Sequence, residues 1–186
     1  MSRTRDLSLP ADMVSVGVLL ATTFMPLPME GIAVALRHLG GPCWQPVEEV
    51  VATAVERLLD QGWLEASATE DGETRLAPSP AARERLPILI EALPLSPSSP
   101  DLPYRLKVMA LDLLEDPGRA RLLRLLLDHW EGRLRFWQDA QLRCPCGERS
   151  VRRLMQRNLA LARSEIDWLA AVQGHFEPAA GGEAGR

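Results

Sequence analysis

Residues 1 to 93 of this 186-residue chain contain no lysine. Their seven arginines stand against thirteen carboxylates, a balance of −6, whereas residues 94 to 186 carry fourteen basic and twelve acidic side chains, a balance of +2. The overall charge of −4 therefore hides an asymmetry, and any anion-binding surface in the first half must draw on a handful of guanidinium groups. Cysteine is scarce as well. Cys43, Cys144 and Cys146 cannot all pair, which excludes a disulfide framework and fits a reducing cytoplasm. Cys144 and Cys146 are separated by one residue, where structural zinc sites favour two to four and a second pair elsewhere. They read as reduced, metal-free thiols in a turn. His38, His129 and His175 fall on separate predicted helices with no ligand pattern around them.

Long apolar runs are missing too. The stretch from Val14 to Phe24 is broken by Ser15, Gly17, Thr22 and Thr23 and falls short of the roughly 20 residues a membrane span needs. An acid and a proline precede it and no small-residue cleavage site follows it, so neither a signal peptide nor a membrane partner is expected. No Gly-rich phosphate loop, nucleophile elbow or metalloprotease motif occurs, and the serines cluster at caps and in one linker. An enzyme is not expected, nor is a cofactor.

What is present reads as a folded helical chain, with 46% hydrophobic and 25% charged residues and length enough for two packed units. Met13, Val16, Leu19 and Leu20 recur at helical spacing behind Pro10 and predict a helix to about Thr23, stopped by Pro26 and Pro28. Met29, Ile32, Ala33, Leu36 and Leu39 form the stripe of a second helix, ended by Gly40-Gly41-Pro42. Val47, Val50, Val51, Ala54, Val55, Leu58 and Leu59 give a third helix its buried face, with Gly62 as C-terminal cap. Trp63 to Ala66 and Thr74 to Ala77 flank Asp71-Gly72, a hairpin signal. Three helices and a hairpin make a winged helix. Ser79 caps a fourth helix over residues 80–93, and the four prolines and three serines of residues 94–103 mark a linker.

Beyond the linker, residues 104–114 read as one apolar helix and a longer one runs from Pro117 to about Leu142. In the longer helix Leu123, Leu127, Trp130, Leu134 and Trp137 step by four and three, the spacing of a coiled-coil seam. Met155, Leu159, Ala162, Ile166, Leu169, Gln173 and Phe176 repeat it in a last helix. The expected architecture is mainly α with a small β-hairpin wing: an N-terminal winged helix-turn-helix (1–93), then a C-terminal antiparallel helical dimerisation region (104–177) and a disordered tail (178–186). Stripes of this length predict a homodimer with Leu123, Leu127, Trp130, Leu134, Trp137, Leu159, Ile166 and Leu169 in its interface.

Several stretches in this order resemble the PadR-like transcriptional regulators. Pro28-Met29-Glu30-Gly31-Ile32 is similar to the family's opening of helix two. The run from Thr53 to Leu64 resembles its recognition helix entering the wing, and Thr74 to Pro78 resembles the wing exit. Tyr104-Arg105-Leu106-Lys107 is similar to the start of its C-terminal region. The resemblance implies a dimeric regulator binding duplex DNA, and it allows an effector pocket, for which Trp130, Trp137 and Trp168 are the aromatic candidates. One departure stands out: where the family carries a small residue, a hydroxyl residue and a tyrosine early in the recognition helix, this chain has Glu49, Val50 and Ala52.

The cations available to DNA are Arg3 and Arg5 on the N-terminal arm, Arg37, Arg57 and Arg75, with Thr53 on the recognition face. That face also shows Glu48, Glu49 and Glu56, and the wing tip carries Glu70, Asp71 and Glu73. Carboxylates facing a phosphate backbone are repelled. Two functions follow: a regulator on duplex DNA, or a winged helix that has lost DNA binding and recognises a protein partner through its acidic surface.

Overall fold

The computed structural model describes residues 12–41, 44–95, 101–143 and 149–176. Arg3, Arg5, the three cysteines and the tail from 178 lie outside the described residues. The order is α1 (Met13–Phe24), α2 (Met29–Gly40), α3 (Glu48–Asp60), β1 (Leu64–Ala68), β2 (Thr74–Pro78), α4 (Pro80–Ala92), α5 (Asp101–Ala110), a 3-10 turn (Leu111–Leu113), α6 (Asp116–Arg143) and α7 (Arg149–Phe176). This is a winged helix followed by a helical hairpin. Among the described residues no helix is long and apolar enough to cross a membrane.

Each start and stop has a local cause. Asp12 caps α1 by accepting the Ser15 N–H at 2.8 Å, so the described helix begins at Met13. Val16, Leu19 and Leu20 are buried as their spacing predicts, together with Val18, and Gly17 lets α2 approach: a Cβ there would stand 2.8 Å from Leu36 Cδ2. The α3 helix ends in a Schellman motif. The Gly62 N–H donates to Leu59 O and the Trp63 N–H to Leu58 O, with Gly62 at φ 75°, a left-handed conformation that favours glycine. Trp63 thus belongs to the helix stop rather than to the first strand, and it is fully buried. Trp63→Ala is expected to cost about 3–5 kcal/mol through the cavity it leaves, read as a lowered urea midpoint.

The wing pairs antiparallel with Leu64 opposite Pro78 and Ala68 opposite Thr74, and Gly72 turns its tip at φ 79°. Leu27, held extended between Pro26 and Pro28, exchanges both backbone hydrogen bonds with Leu76 (3.1 and 2.9 Å), a one-residue third strand. Ser79 caps α4 by accepting the Ala82 N–H at 3.3 Å.

Packing places the division of the chain at Leu114/Glu115, beyond the Pro/Ser-rich stretch that the sequence marks as the boundary. The reason is α5, which packs on α1, α2 and α4 and belongs to the first unit. It supplies cations to two helix C-termini, where carbonyls lack partners. Arg105 donates to Leu39 O of α2 at 3.4 Å. Lys107, the only lysine of the chain, is buried and donates to Ile90 O and, at 2.9 Å, to Glu91 O of α4.

Burial pushes the Lys107 ammonium down to about 8 from 10.5, against a smaller upward pull from Glu91. Between those values the unfolded chain binds a proton that the folded chain does not. Stability therefore rises with pH across that window, and the cost of the buried charge is fully present below it. Urea midpoints of the wild type and Lys107→Met measured from pH 8 to 10 should show the wild type gaining on the variant. A constant difference would show that Lys107 does not titrate in that window.

In the second unit α6 and α7 pack on each other. They run antiparallel, because the Arg119 guanidinium near the start of α6 lies 4.3 Å from the Phe176 ring at the end of α7. Leu123, Trp130, Leu159, Ala162 and Leu169 are buried within the single chain. His129 is pushed below its ordinary value by burial and then by Arg133.

Candidate nucleic-acid interface

The solvent-facing side of α3 is set by its valine and leucine stripe. With Val51, Ala54, Val55 and Leu58 buried, helical periodicity turns Glu48, Glu49, Thr53 and Glu56 outward, and all four are exposed. Val47 and Val50, which the spacing places on the buried face, are exposed instead, at 60% and 46%. Val47 is the N-cap of α3 and Val50 lies in its first turn. Met29, at the start of α2, is likewise 38% exposed.

The three described guanidinium groups on this side are each held by a carboxylate of the same unit. Arg37 of α2 lies 3.7 Å from Glu48 of α3. Arg75 on β2 donates to Glu73 at the wing tip, 3.0 Å away. Arg57, near the end of α3, donates to Asp12 and, at 2.7 Å, to Ser15 Oγ, bridging the α1 cap to α3. Thr53 is also occupied, its hydroxyl donating to Glu49 O of the preceding turn at 2.7 Å. The three cations sit on α2, on α3 and on the wing. The structure adds that their nearest anions are the protein's own.

Asp12 thus carries a helix cap and a link between helices on one side chain. Asp12→Ala is expected to cost about 1–2 kcal/mol of stability, the usual loss of a cap plus a small contribution from the exposed ion pair. Denaturant titration reads it, and an unchanged midpoint would show that the bridge carries no stability.

In the second unit the predicted interface residues divide. Leu123, Trp130, Leu159 and Leu169 are buried in one chain, while Leu127, Leu134, Trp137 and Ile166 remain half-buried. Because α6 and α7 are antiparallel neighbours, their four-three seams close on each other and the first group has no face left for a partner. Exposed apolar residues form a different stripe: Leu154, Leu161 and Trp168 recur every seven residues on α7, at 53%, 41% and 44% exposure. The aromatic candidates are in unlike settings. Trp130 is buried, Trp137 stacks edge-on against Phe136 with centroids 5.2 Å apart, and Trp168 is exposed. Two depressions on this unit are lined around Arg119, Leu127 and Phe176 and around Arg121, Leu125 and Asp128, and none of these tryptophans lines either. Among the described residues no group of three or more His, Cys, Asp or Glu side chains is placed to hold a metal ion.

The geometry defines a winged-helix protein with a C-terminal helical hairpin. No family model and no curated protein matches its sequence. Among solved structures its fold is similar to that of Bacillus subtilis PadR in complex with operator DNA, at 13% identity over 89% of this chain and 100% of that one, with a TM-score of 0.42. It is also similar to the same protein with p-coumaric acid (13% identity, 88% and 98% covered, TM-score 0.41) and to PadR alone (12%, 90% and 98%, 0.38).

Proposed function

We propose that this chain is a homodimeric, PadR-like transcription regulator that binds duplex DNA through α3 and the wing. The observation that carries this reading is the form of the first unit. An α3 with one face fully spent in the core keeps its other face exposed, beside a two-stranded wing whose tip is also exposed. Helices presented in this way enter the major groove, and dimers place two of them on the half-sites of a palindrome. Phosphate contacts would come from Arg3 and Arg5 and, against competition from the carboxylates that hold them, from Arg37, Arg57 and Arg75.

Thr53 would face the bases only after giving up its bond to Glu49 O. An effector acting through Trp130, Trp137 or Trp168 is part of the same reading, and tryptophan fluorescence under titration tests it. The dimer would use the exposed stripe of α7 together with the half-buried Leu127, Leu134, Trp137 and Ile166.

A second reading is favoured by the ion pairs themselves: with its described cations engaged, the acidic side of the winged helix would recognise a protein rather than DNA. Fluorescence anisotropy with fragments covering the protein's own upstream region separates the two. Binding with a dissociation constant below about 10 μM at roughly 50 mM salt supports the regulator. Weaker binding on every fragment is poorer than ordinary non-specific association and overturns it in favour of the protein partner.

A further inference from the structure

Between α2 and the first turns of α3 lies an open cleft of about 560 Å³. This is within the range of sites that accept ligands. Its floor is apolar, formed by Met29, Ala33, Val34 and Val51, and its mouth carries Glu30, Glu48, Glu49 and Arg37. Val34 is 43% exposed and Met29 38%, so part of this apolar lining is open to solvent. Arg37 is already within 3.7 Å of Glu48, so the rim presents an excess of two carboxylates to whatever enters.

We propose that this cleft is a docking site for a cationic amphipathic helical segment of a partner protein. An open cleft with apolar lining from two helices suits a third helix laid against it, with apolar side chains at i, i+3 or i+4 and i+7 meeting Met29, Ala33 and Val34. The carboxylates select the flanking residues of that segment, since Lys or Arg beside the anchors meets Glu30 and Glu49 at the rim while acidic flanks are repelled. The same charges disfavour phosphate, so nucleic acid is not the occupant. Because Glu48, Glu49 and Arg37 also lie on the side of α3 that would face DNA, a docked segment and a duplex would exclude each other. Docking at the cleft does not require that the protein be a DNA-binding one, and its test contains no DNA.

The probe is a fluorescein-labelled helical peptide of about fifteen residues with leucine at i, i+3, i+7 and i+10 and lysine elsewhere on its flanks, titrated into the full-length protein. Two further peptides replace every leucine by serine or every lysine by glutamate. The expected result is saturable binding of the Leu/Lys peptide and at least about tenfold weaker binding of both others, since each lacks one half of the recognition. Glu30→Gln/Glu49→Gln should weaken binding about fivefold, the scale of two exposed charge pairs. Val34→Lys, which sets a cation on the floor at an exposed position, should abolish it. Glu70→Gln/Glu73→Gln removes equal charge from the wing tip and should leave it unchanged. Equal losses in the wing and cleft variants would show attraction to net negative charge alone and overturn the proposal. A Val34→Lys protein that sediments at half the mass of the wild type would assign the cleft to a second copy of the chain, with the same consequence.

Discussion

Leu161→Glu/Trp168→Glu is expected to sediment as a monomer at micromolar concentrations at which the wild type is expected to be a dimer. Leu154, Leu161 and Trp168 are spaced by seven on α7 and, among the described residues, stay exposed after the α6/α7 seam has closed. A two-fold interface uses each of them twice, and burying a side chain of this size contributes about 1.5–3 kcal/mol. The double variant removes four such side chains per dimer and introduces four carboxylates. A weakening of about three orders of magnitude is a conservative expectation, because about 4 kcal/mol suffices for it. Helicity should be unchanged, since neither side chain contributes to the buried seam. Leu142→Glu serves as the control: it is 86% exposed near the end of α6 and lies off that stripe. A wild-type protein that is monomeric, or a double variant that remains dimeric, would remove the α7 stripe from the interface.

The second large effect concerns Glu48. Its carboxylate both opposes phosphate and holds Arg37, so Glu48→Gln should strengthen DNA binding twice over, by removing a repulsion and by freeing a cation. In a dimer two guanidinium groups become available. The plot of log affinity against log salt should therefore steepen by about 2, given a slope near 0.9 per phosphate neutralised. At about 50 mM salt the gain should reach roughly tenfold. Arg37→Ala alone should weaken binding less than it does in the Glu48→Gln background, because in the wild type Glu48 competes with phosphate for that side chain; in the Glu48→Gln background it should cancel the gain. Arg75→Ala and Glu73→Gln form the equivalent pair on the wing. Glu48→Gln that binds no more tightly and with the same salt slope would show that α3 does not face the duplex, and would shift the reading to the protein partner.

Much of this was legible in the chain because it depends on neighbours in sequence. Ser79 as a cap, Gly62 as a stop and Asp71-Gly72 as a turn all act within a few residues of themselves, and the structure has each where turn chemistry places it; the helical stripes hold as well, except that Met13, Met29, Val47 and Val50 at helix starts are exposed. The Leu27–Leu76 bridge was not legible, since a strand of one residue has no period, although prolines on both sides of Leu27 are its one local signal. The role of α5 was not legible either. Its stripe looks the same whether it packs forward onto α6 or back onto α1 and α4, and the choice rests on where Leu106 and the Lys107 ammonium find partners.

The candidate interface divides in the same way. Sequence alone determined that the first half is acidic, that α3 turns Glu48, Glu49, Thr53 and Glu56 outward, and that arginine is its only cation, because composition and a 3.6-residue period are enough for those statements. Only tertiary structure decided that Arg37, Arg57 and Arg75 are each held by a carboxylate, because two of those three pairs join different helices. It also decided which apolar stripe is left over. The four-three spacing on α6 and α7 is equally compatible with a partner chain and with the neighbouring helix. Closing a short hairpin costs far less entropy than recruiting a second molecule, so the hairpin takes that seam and leaves Leu154, Leu161 and Trp168 outside it.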